Sequence, residues 1–174
     1  MNTLRDKVVI VTGGSSGIGR TAALRFAEAG ARVLITGRRA DALEQASRDH
    51  PGISGVVADA ASPEDAVSTV ATTISLHGRL DVLVNNAGAG AIMPLADASA
   101  EKIQSIFTVN VVGPSLLAAA AMPHLAASGG SIVNVSSTYG HKAGAMLSHY
   151  PASKAALAHL PPRRALELAP PHRR

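Results

Sequence analysis

Short apolar runs rich in valine and isoleucine alternate with longer alanine-rich segments along the chain. The short runs predict β-strands, and because their apolarity is continuous rather than alternating, both faces of each strand should be covered. The longer segments predict helices, so the alternation indicates an α/β fold built around a parallel sheet. The predicted strands span residues 7–12, 32–36, 53–58, 81–84 and 131–136.

Helices are predicted between these strands. Ser62 followed by Pro63 is typical of a helix start, because serine caps the first turn and proline fits its first position. Gly30 is typical of a helix end, and residues 89–100 predict a loop. The predicted helices span residues 17–29, 40–49, 63–77 and 101–127, with a last one from residue 150.

The composition fits one domain without a surface for stacking bases. A length of 174 residues suits a single domain with a substantial core. Apolar residues make up 47% of the chain but aromatic residues only 2%, so the core must be built from alanine, valine, leucine and isoleucine. Because aromatic platforms for bases are scarce, we expect no nucleic-acid partner.

The net charge of +4 is concentrated at the C-terminal end. Residues 161–174 hold four arginines and one glutamate, which together account for +3. A basic end of this kind is typical of a solvated tail. The chain has no cysteine, no uninterrupted apolar run of about 18 to 20 residues and no cleavable signal at its start. We therefore expect a cytoplasmic protein without membrane contact, and we predict no metal site.

A glycine-rich segment, TGGSSGIGR, follows the first predicted strand and opens the first predicted helix. Glycines allow a tight turn and let backbone N–H groups approach a pyrophosphate at a helix N-terminus. A position between a strand and a helix is the context that a dinucleotide site requires, with an ordinary glycine-rich turn as the alternative. The predicted cofactor contacts here are Gly13, Ser15, Ser16, Gly17, Ile18 and Gly19.

The end of the second predicted strand distinguishes two nucleotide cofactors. A carboxylate at this place would bind a ribose 2′-hydroxyl and repel a 2′-phosphate. The sequence VLITGRR instead offers Arg38 after Gly37, and a guanidinium can bind a phosphate. We therefore expect NADP(H) as the preferred cofactor, with NAD(H) as the alternative. The competing interpretation is that Arg38 and Arg39 only open a solvated helix.

Tyr150 and Lys154 are four residues apart at the start of the last predicted helix, so their side chains should share one face. Pro151 is compatible with this helix because the first turn needs no internal donor. A phenol with the ordinary pKa of about 10 is a poor acid–base group at neutral pH, and a neighbouring ammonium can stabilise its anion. The pair therefore suits proton transfer.

Several short motifs occur in order after the glycine turn: NNAG at 85–88, VNVVG around Asn110, IVNVSS at 132–137 and YxxxK from Tyr150. Together they resemble the short-chain dehydrogenase/reductase family over about residues 7–169. The resemblance implies a doubly wound parallel sheet, the Rossmann fold. It also implies an NADP-dependent oxidoreductase that transfers a hydride between a nicotinamide and a small-molecule carbonyl or secondary alcohol.

The resemblance assigns roles to individual residues. Tyr150 would protonate the carbonyl oxygen while Ser137 holds it, and the distance along the chain to Tyr150 favours Ser137 over Ser136. Lys154 would stabilise the phenolate and bind the nicotinamide ribose together with Tyr150. Asn110 would position a water molecule that relays protons.

Four further residues are implied as cofactor contacts. Asp59, after the third predicted strand, resembles the family's adenine contact. Asn86, Ala87 and Gly88 would line the cofactor cleft. Each also has a purely structural interpretation, because Asp59 fits a turn and the Asn-Asn pair fits the end of a strand.

The C-terminal end departs from the family pattern. Family members continue with further strands and a substrate-covering loop, so we expect a C-terminally truncated member whose sheet is incomplete at that end. Pro161 and Pro162 fall inside the last helix, and each removes a helical hydrogen bond. We therefore predict a helix over residues 150–160 followed by a break. The domain would cover residues 1–160, with a proline- and arginine-rich end over 161–174.

This last helix also bears on assembly and activity. In the family, the helices that hold Asn110 and Lys154 pack across subunits as a four-helix bundle. A homo-oligomer is therefore expected, weakened by the helix break at Pro161 and Pro162. Two alternatives to an active enzyme follow: a non-catalytic truncated remnant that binds nucleotide or a partner protein, and an incomplete copy of a longer enzyme.

Overall fold

A computed structural model describes residues 4–90, 93–142 and 149–168, with side chains described up to residue 160. The strands in this part are β1 (Val8–Thr12), β2 (Arg32–Gly37), β3 (Ile53–Val57), β4 (Val82–Asn85) and β5 (Ser131–Asn134). They form one parallel sheet in the order β3, β2, β1, β4, β5. The doubly wound α/β fold of the Rossmann type is thereby confirmed.

Helices connect the strands where the sequence predicted them. The described helices are α1 (Gly17–Glu28), α2 (Ala40–Ser47), α3 (Pro63–His77), α4 (Ala100–Phe107), α5 (Gly113–Ser128) and α6 (His149–Leu168). The described part of the predicted loop 89–100 contains a short 3₁₀ turn, Leu95–Asp97. All predicted strand ends, and the ends of the first three helices, lie within two residues of the observed ones.

Helices cover both faces of the central sheet. On one face α1 and α2 pack against Val9 and Val11, and on the other α3 and α5 pack against Ile10. The prediction that every strand is covered on both faces was wrong at β3 and β5, where Val57 and Val133 are exposed. The main helical contact of β3 is with α2, and β5 contacts α6.

A π-helical turn, Thr108–Val112, joins α4 to α5, so one helical segment runs over Ala100–Ser128. By length and composition this segment could cross a membrane, because an 18-residue stretch within it has a mean hydropathy of 1.6. Buried core helices meet the same criteria. Leu117, Ala121 and Leu125 of this segment pack into the core with the sheet and α3.

The predicted break in the last helix was wrong. The helix α6 continues across Pro161 and Pro162 to Leu168. A proline removes only its own N–H, and a kink can absorb part of its clash while the hydrogen bonds of the flanking turns persist. The expected weakening of a homo-oligomer by a helix break at these prolines therefore loses its basis.

Asp81 joins the N-terminal ends of β1 and β4. Its carboxylate accepts hydrogen bonds from Lys7 Nζ at 2.9 Å, from Arg79 at 2.7 and 2.8 Å and from the Val8 N–H at 3.0 Å. The side chain is only 3% exposed. Burial alone would raise the pKa of Asp81, but the hydrogen bonds from Arg79, Val8 and Lys7 lower it to about 2.

We expect Asp81→Asn to lower the free energy of unfolding at pH 7 by at most about 2 kcal/mol, an upper value because the half-exposed cations are screened. A carboxyl pKa that folding depresses stabilises the protein above the unfolded value, near pH ~4. That stability is lost as the pH falls towards the folded pKa of about 2. Urea unfolding at several pH values between neutral and acid measures the loss of unfolding free energy in Asp81→Asn. A loss that does not shrink as the pH falls would contradict this role of the Asp81 carboxylate.

Candidate active site

The glycine turn lies between β1 and α1, and two of its glycines adopt left-handed conformations. Gly13 has a φ of 64° and Gly17 a φ of 53°, values that other residues rarely adopt. Gly19 is needed for a different reason, because a Cβ there would lie 2.4 Å from both Asn86 Nδ2 and the Gly13 carbonyl oxygen. The turn therefore brings the N-terminus of α1 close to the end of β4.

Thr12 joins the ends of β1 and β4, a role that the sequence interpretation missed. Its Oγ1 accepts hydrogen bonds from the N–H groups of Asn86 and Ala87, both at 3.0 Å, and donates to the Val84 carbonyl at 3.4 Å. Asn86 Nδ2 donates to the Thr12 carbonyl at 2.8 Å. The available signal was a polar residue at the end of a buried strand, directly before the first glycine.

A cleft of about 560 Å³ opens at the carboxyl ends of β1, β2 and β4. Ligands of open α/β sheets bind in such a crevice, where the strand order reverses. The predicted contacts that line it are Gly13, Ser15, Ser16, Gly17, Ile18, Gly19, Arg38, Asp59, Asn86, Ala87 and Gly88. The sequence interpretation missed Thr36, Ala58, Ala60, Ala89, Ser105 and Val109. Tyr150 and Lys154, also predicted to bind the cofactor, lie outside this lining.

Two arginines line the cleft directly after β2. Arg38 and Arg39 form no ion pair with a carboxylate of the described residues. A Cβ at Gly37 would lie 3.0 Å from Ser15 Oγ, so the end of β2 approaches the glycine turn closely. The positive charges therefore stand beside the N-terminus of α1, where the helix dipole also favours an anion.

Asp59 follows β3 and lies both in a turn and in the cleft wall. Its Oδ1 accepts a hydrogen bond from the Ala61 N–H at 2.9 Å, and its own N–H donates to Asp65 Oδ2 at 2.7 Å. Asp59 can therefore be both a turn residue and part of the cofactor cleft. A contact with adenine stays a prediction.

Asn110 lies in the π-helical turn and is fully buried. In a regular α-helix its carbonyl would accept from residue 114, but Pro114 has no N–H, which explains the wider turn. Its Oδ1 accepts from the Ala89 N–H at 2.9 Å, and its Nδ2 donates to the Ala89 carbonyl at 2.8 Å and to Ser153 Oγ at 2.9 Å. Asn110 therefore joins the loop after β4 to α6.

Tyr150 and Lys154 lie together near the start of α6. Lys154 Nζ is 6.0 Å from the centre of the Tyr150 ring and donates to the Val135 carbonyl at 3.0 Å. Lys154 is only 4% exposed, and burial lowers its pKa below the ordinary value of lysine. A Cβ at Gly88 would lie 3.1 Å from Lys154 Nζ and 3.2 Å from Asn110 Oδ1. The side chains of Lys154 and Asn110 therefore meet the cleft wall at Gly88.

Comparison with known proteins decides the family. The family model described as short chain dehydrogenase matches residues 7–172. The chain belongs to the short-chain dehydrogenase family. Two curated relatives are an uncharacterised oxidoreductase of Mycobacterium tuberculosis, 38% identical over 98% of this chain, and dehydrogenase/reductase SDR family member 4 of Bos taurus, 37% identical over 97% of it.

Solved structures of short-chain dehydrogenases share this fold. One from Mycobacterium smegmatis has a TM-score of 0.91 at 32% identity. The match covers 97% of this chain and 73% of the Mycobacterium smegmatis chain. A metagenomic short-chain oxidoreductase in complex with NADP has a TM-score of 0.89 at 33% identity. The match covers 94% of this chain and 77% of the oxidoreductase. The chain spans 67% and 62% of the length of the two curated relatives.

In this short-chain dehydrogenase, the two serines after β5 have different partners. Ser136 Oγ donates to the Lys154 carbonyl at 2.9 Å. Ser137 Oγ accepts from the Tyr139 N–H at 3.2 Å, at the start of the 3₁₀ turn Thr138–Gly140. The hydroxyl hydrogen of Ser136 is therefore engaged in holding α6, whereas the bond at Ser137 leaves its hydroxyl hydrogen for another acceptor.

Proposed function

We propose that this short-chain dehydrogenase is an NADP-dependent oxidoreductase that transfers a hydride between a nicotinamide and a carbonyl or secondary alcohol. The observation that carries the proposal is the meeting of Lys154 and Asn110 at Gly88, on the wall of the cleft. A buried ammonium beside a tyrosine, at the edge of a nucleotide-sized cleft, supports proton transfer next to a bound cofactor.

The cleft fits a dinucleotide by its volume and by its hydrogen-bond donors. A volume of about 560 Å³ lies within the range of cofactor sites. The left-handed Gly17 has open space where a Cβ would stand, which leaves room for a phosphate at the N-terminus of α1. The cofactor, when bound, supplies or accepts the hydride.

The residues of this chain would move and hold the proton. Tyr150 gives its phenolic proton to the substrate oxygen during reduction and takes it back during oxidation. Lys154 stabilises the phenolate by its positive charge and contributes to binding the cofactor. Ser137 donates its remaining hydroxyl hydrogen to the same substrate oxygen. Asn110 holds the loop after β4 and α6 in place around them.

Arg38 supports NADP over NAD as the cofactor. It lines the cleft after β2, in the place where a carboxylate would bind a ribose 2′-hydroxyl. A guanidinium there favours a 2′-phosphate through charge-assisted hydrogen bonds. The similar metagenomic oxidoreductase in complex with NADP adds support.

We expect Arg38→Asp to weaken NADPH binding by about tenfold or more and to reverse the NADPH/NADH preference, because a carboxylate repels the 2′-phosphate. Calorimetric titration with both nucleotides measures the two dissociation constants. Arg39→Asp makes the same change of charge on the other arginine of the cleft wall, and it should not reverse the NADPH/NADH preference. Unchanged NADPH affinity and an unchanged NADPH/NADH ratio in Arg38→Asp would show the assignment to be wrong.

The proposal extends to the setting of the enzyme. The substrate would be a small carbonyl compound or alcohol, and the protein would act in the cytoplasm. A homo-oligomer is supported by the exposed Val112 and the half-buried Leu116, which lie on the helical segment that also carries Asn110.

A further inference from the structure

Side chains outside α6 bind two of its backbone carbonyl groups. Ser136 Oγ donates to the Lys154 carbonyl at 2.9 Å, and Asn134 Nδ2 donates to the Leu157 carbonyl at 3.5 Å, the long end of the hydrogen-bond range. Asn134 ends β5, and Ser136 follows it closely. Hydrogen bonds from this end of the sheet therefore hold the helix that carries Tyr150 and Lys154.

The Leu157 carbonyl, like that of Ala158, has a proline four residues later. In an α-helix this carbonyl accepts from the N–H of residue 161, and Pro161 has no N–H. Leu157 is fully buried, so an unpaired carbonyl there would pay its whole desolvation penalty. The helix nevertheless continues to Leu168. A donor from outside the helix resolves this conflict.

Asn85 fixes the orientation of the Asn134 amide. Asn85 Nδ2 donates to Asn134 Oδ1 at 2.8 Å, which directs the Nδ2 of Asn134 at α6. The two residues are paired in register across β4 and β5, and Asn85 is only 1% exposed. The opposite orientation of Asn134 would direct its carbonyl oxygen at the carbonyl oxygen of Leu157, which is repulsive.

We propose that Asn134 is a positioning residue that replaces the main-chain donor missing at Pro161 and so holds α6, with Tyr150 and Lys154, against the sheet. The hydrogen bonds from Asn85 through Asn134 connect the end of β4, beside the cleft, to the catalytic helix. The consequence for catalysis rests on the proposed function, whereas the replacement of one donor by another does not.

A double-mutant cycle between Asn134→Ala and Pro161→Ala tests this replacement. We expect Asn134→Ala to raise the unfolding equilibrium constant about tenfold more with Pro161 present than in the Pro161→Ala background, where residue 161 supplies its own N–H. The bond from Asn85 is lost in both backgrounds, so its effect cancels. Pro162→Ala is the matched control, because it restores a donor one residue further along and none to Leu157.

Urea unfolding of the full chain and its variants gives the coupling. An Asn134→Ala penalty that is equal with Pro161 and with alanine at that position would overturn the proposal. A coupling to Pro162→Ala as large as that to Pro161→Ala would also overturn it. Asn134→Ser takes the place of Asn134→Ala in the same cycle if the alanine variant does not fold.

Two further measurements separate positioning from general stability. Hydrogen exchange over residues 149–160 should quicken in Asn134→Ala more than exchange over β1, and should slow again when Pro161→Ala is added. In turnover with NADPH and a test aldehyde, the alkaline limb of the kcat/KM profile should shift in Asn134→Ala and return in the double variant. Partial unfolding instead lowers the whole profile without moving its limbs.

The outcomes distinguish this proposal from the proposed function. Unchanged exchange over residues 149–160 in Asn134→Ala, or an unshifted alkaline limb in an active protein, would overturn the positioning role. A wild-type chain without turnover contradicts the proposed function alone. In that case the unfolding cycle and the exchange data still decide the role of Asn134.

Discussion

Replacing Tyr150 with phenylalanine is expected to lower kcat for carbonyl reduction by about a thousandfold. The ring, which a Cβ at Gly90 would approach to 3.5 Å, is kept, but the phenolic proton that would reach the substrate oxygen is lost. The dissociation constant of NADPH should change little, since Tyr150 does not line the cleft. Steady-state turnover with NADPH and a panel of aldehydes and ketones measures kcat, and fluorescence titration measures the dissociation constant.

Tyr139→Phe is the matched control for this prediction. Tyr139 is the other tyrosine of the chain, and its side chain is exposed in the 3₁₀ turn after Ser137. Its loss should alter kcat by no more than about twofold, because an exposed hydroxyl outside the proton path contributes little. Equal losses of kcat in the two variants, or full activity in Tyr150→Phe, would contradict the role of Tyr150.

Replacing Gly113 with alanine is expected to lower the free energy of unfolding by about 3 kcal/mol. A Cβ at Gly113 would lie 1.8 Å from the Ala60 carbonyl oxygen, a backbone atom that cannot move aside as a side chain can. The start of α5 would have to move away from the loop after β3, and the π-helical turn that holds Asn110 directly precedes it. Urea unfolding measures the loss of stability.

Gly129→Ala separates crowding from the general effect of replacing a glycine. Gly129 follows α5 with a φ of 62° and has nothing within 4 Å of the place where a Cβ would stand. Its replacement should cost only the left-handed backbone strain, about 1 kcal/mol. A Gly113→Ala penalty no larger than this would mean that the contact with Ala60 does not constrain the site.

The strands and most helix ends were predictable because their signals are local. The first four residues of β1, Val8 to Val11, are all buried, as their unbroken apolarity indicates. The ends of α3 match the prediction at both sides, because Ser62 Oγ accepts from the Asp65 N–H at 3.0 Å and Gly78 ends the helix with a φ of 72°. Capping residues therefore predicted boundaries wherever the local sequence alone decides them.

The features that the sequence did not predict depend on contacts between distant segments. Thr12 binds Asn86, which lies 74 residues further along the chain. The continuation of α6 past Pro161 involves Asn134, a residue of β5 that lies opposite the carbonyl which the proline leaves without its donor. Helix propensity alone predicts a break there, and tertiary contacts override it.

Calorimetric titration of the chain with NADPH, with NADH in parallel and a thermal unfolding scan, tests the proposed function most directly. We predict a cooperative unfolding transition and NADPH binding about tenfold tighter than NADH binding, because Arg38 lines the cleft and its guanidinium would bind a 2′-phosphate. A cooperatively folded chain that binds neither nucleotide would contradict the proposal and favour a non-catalytic remnant.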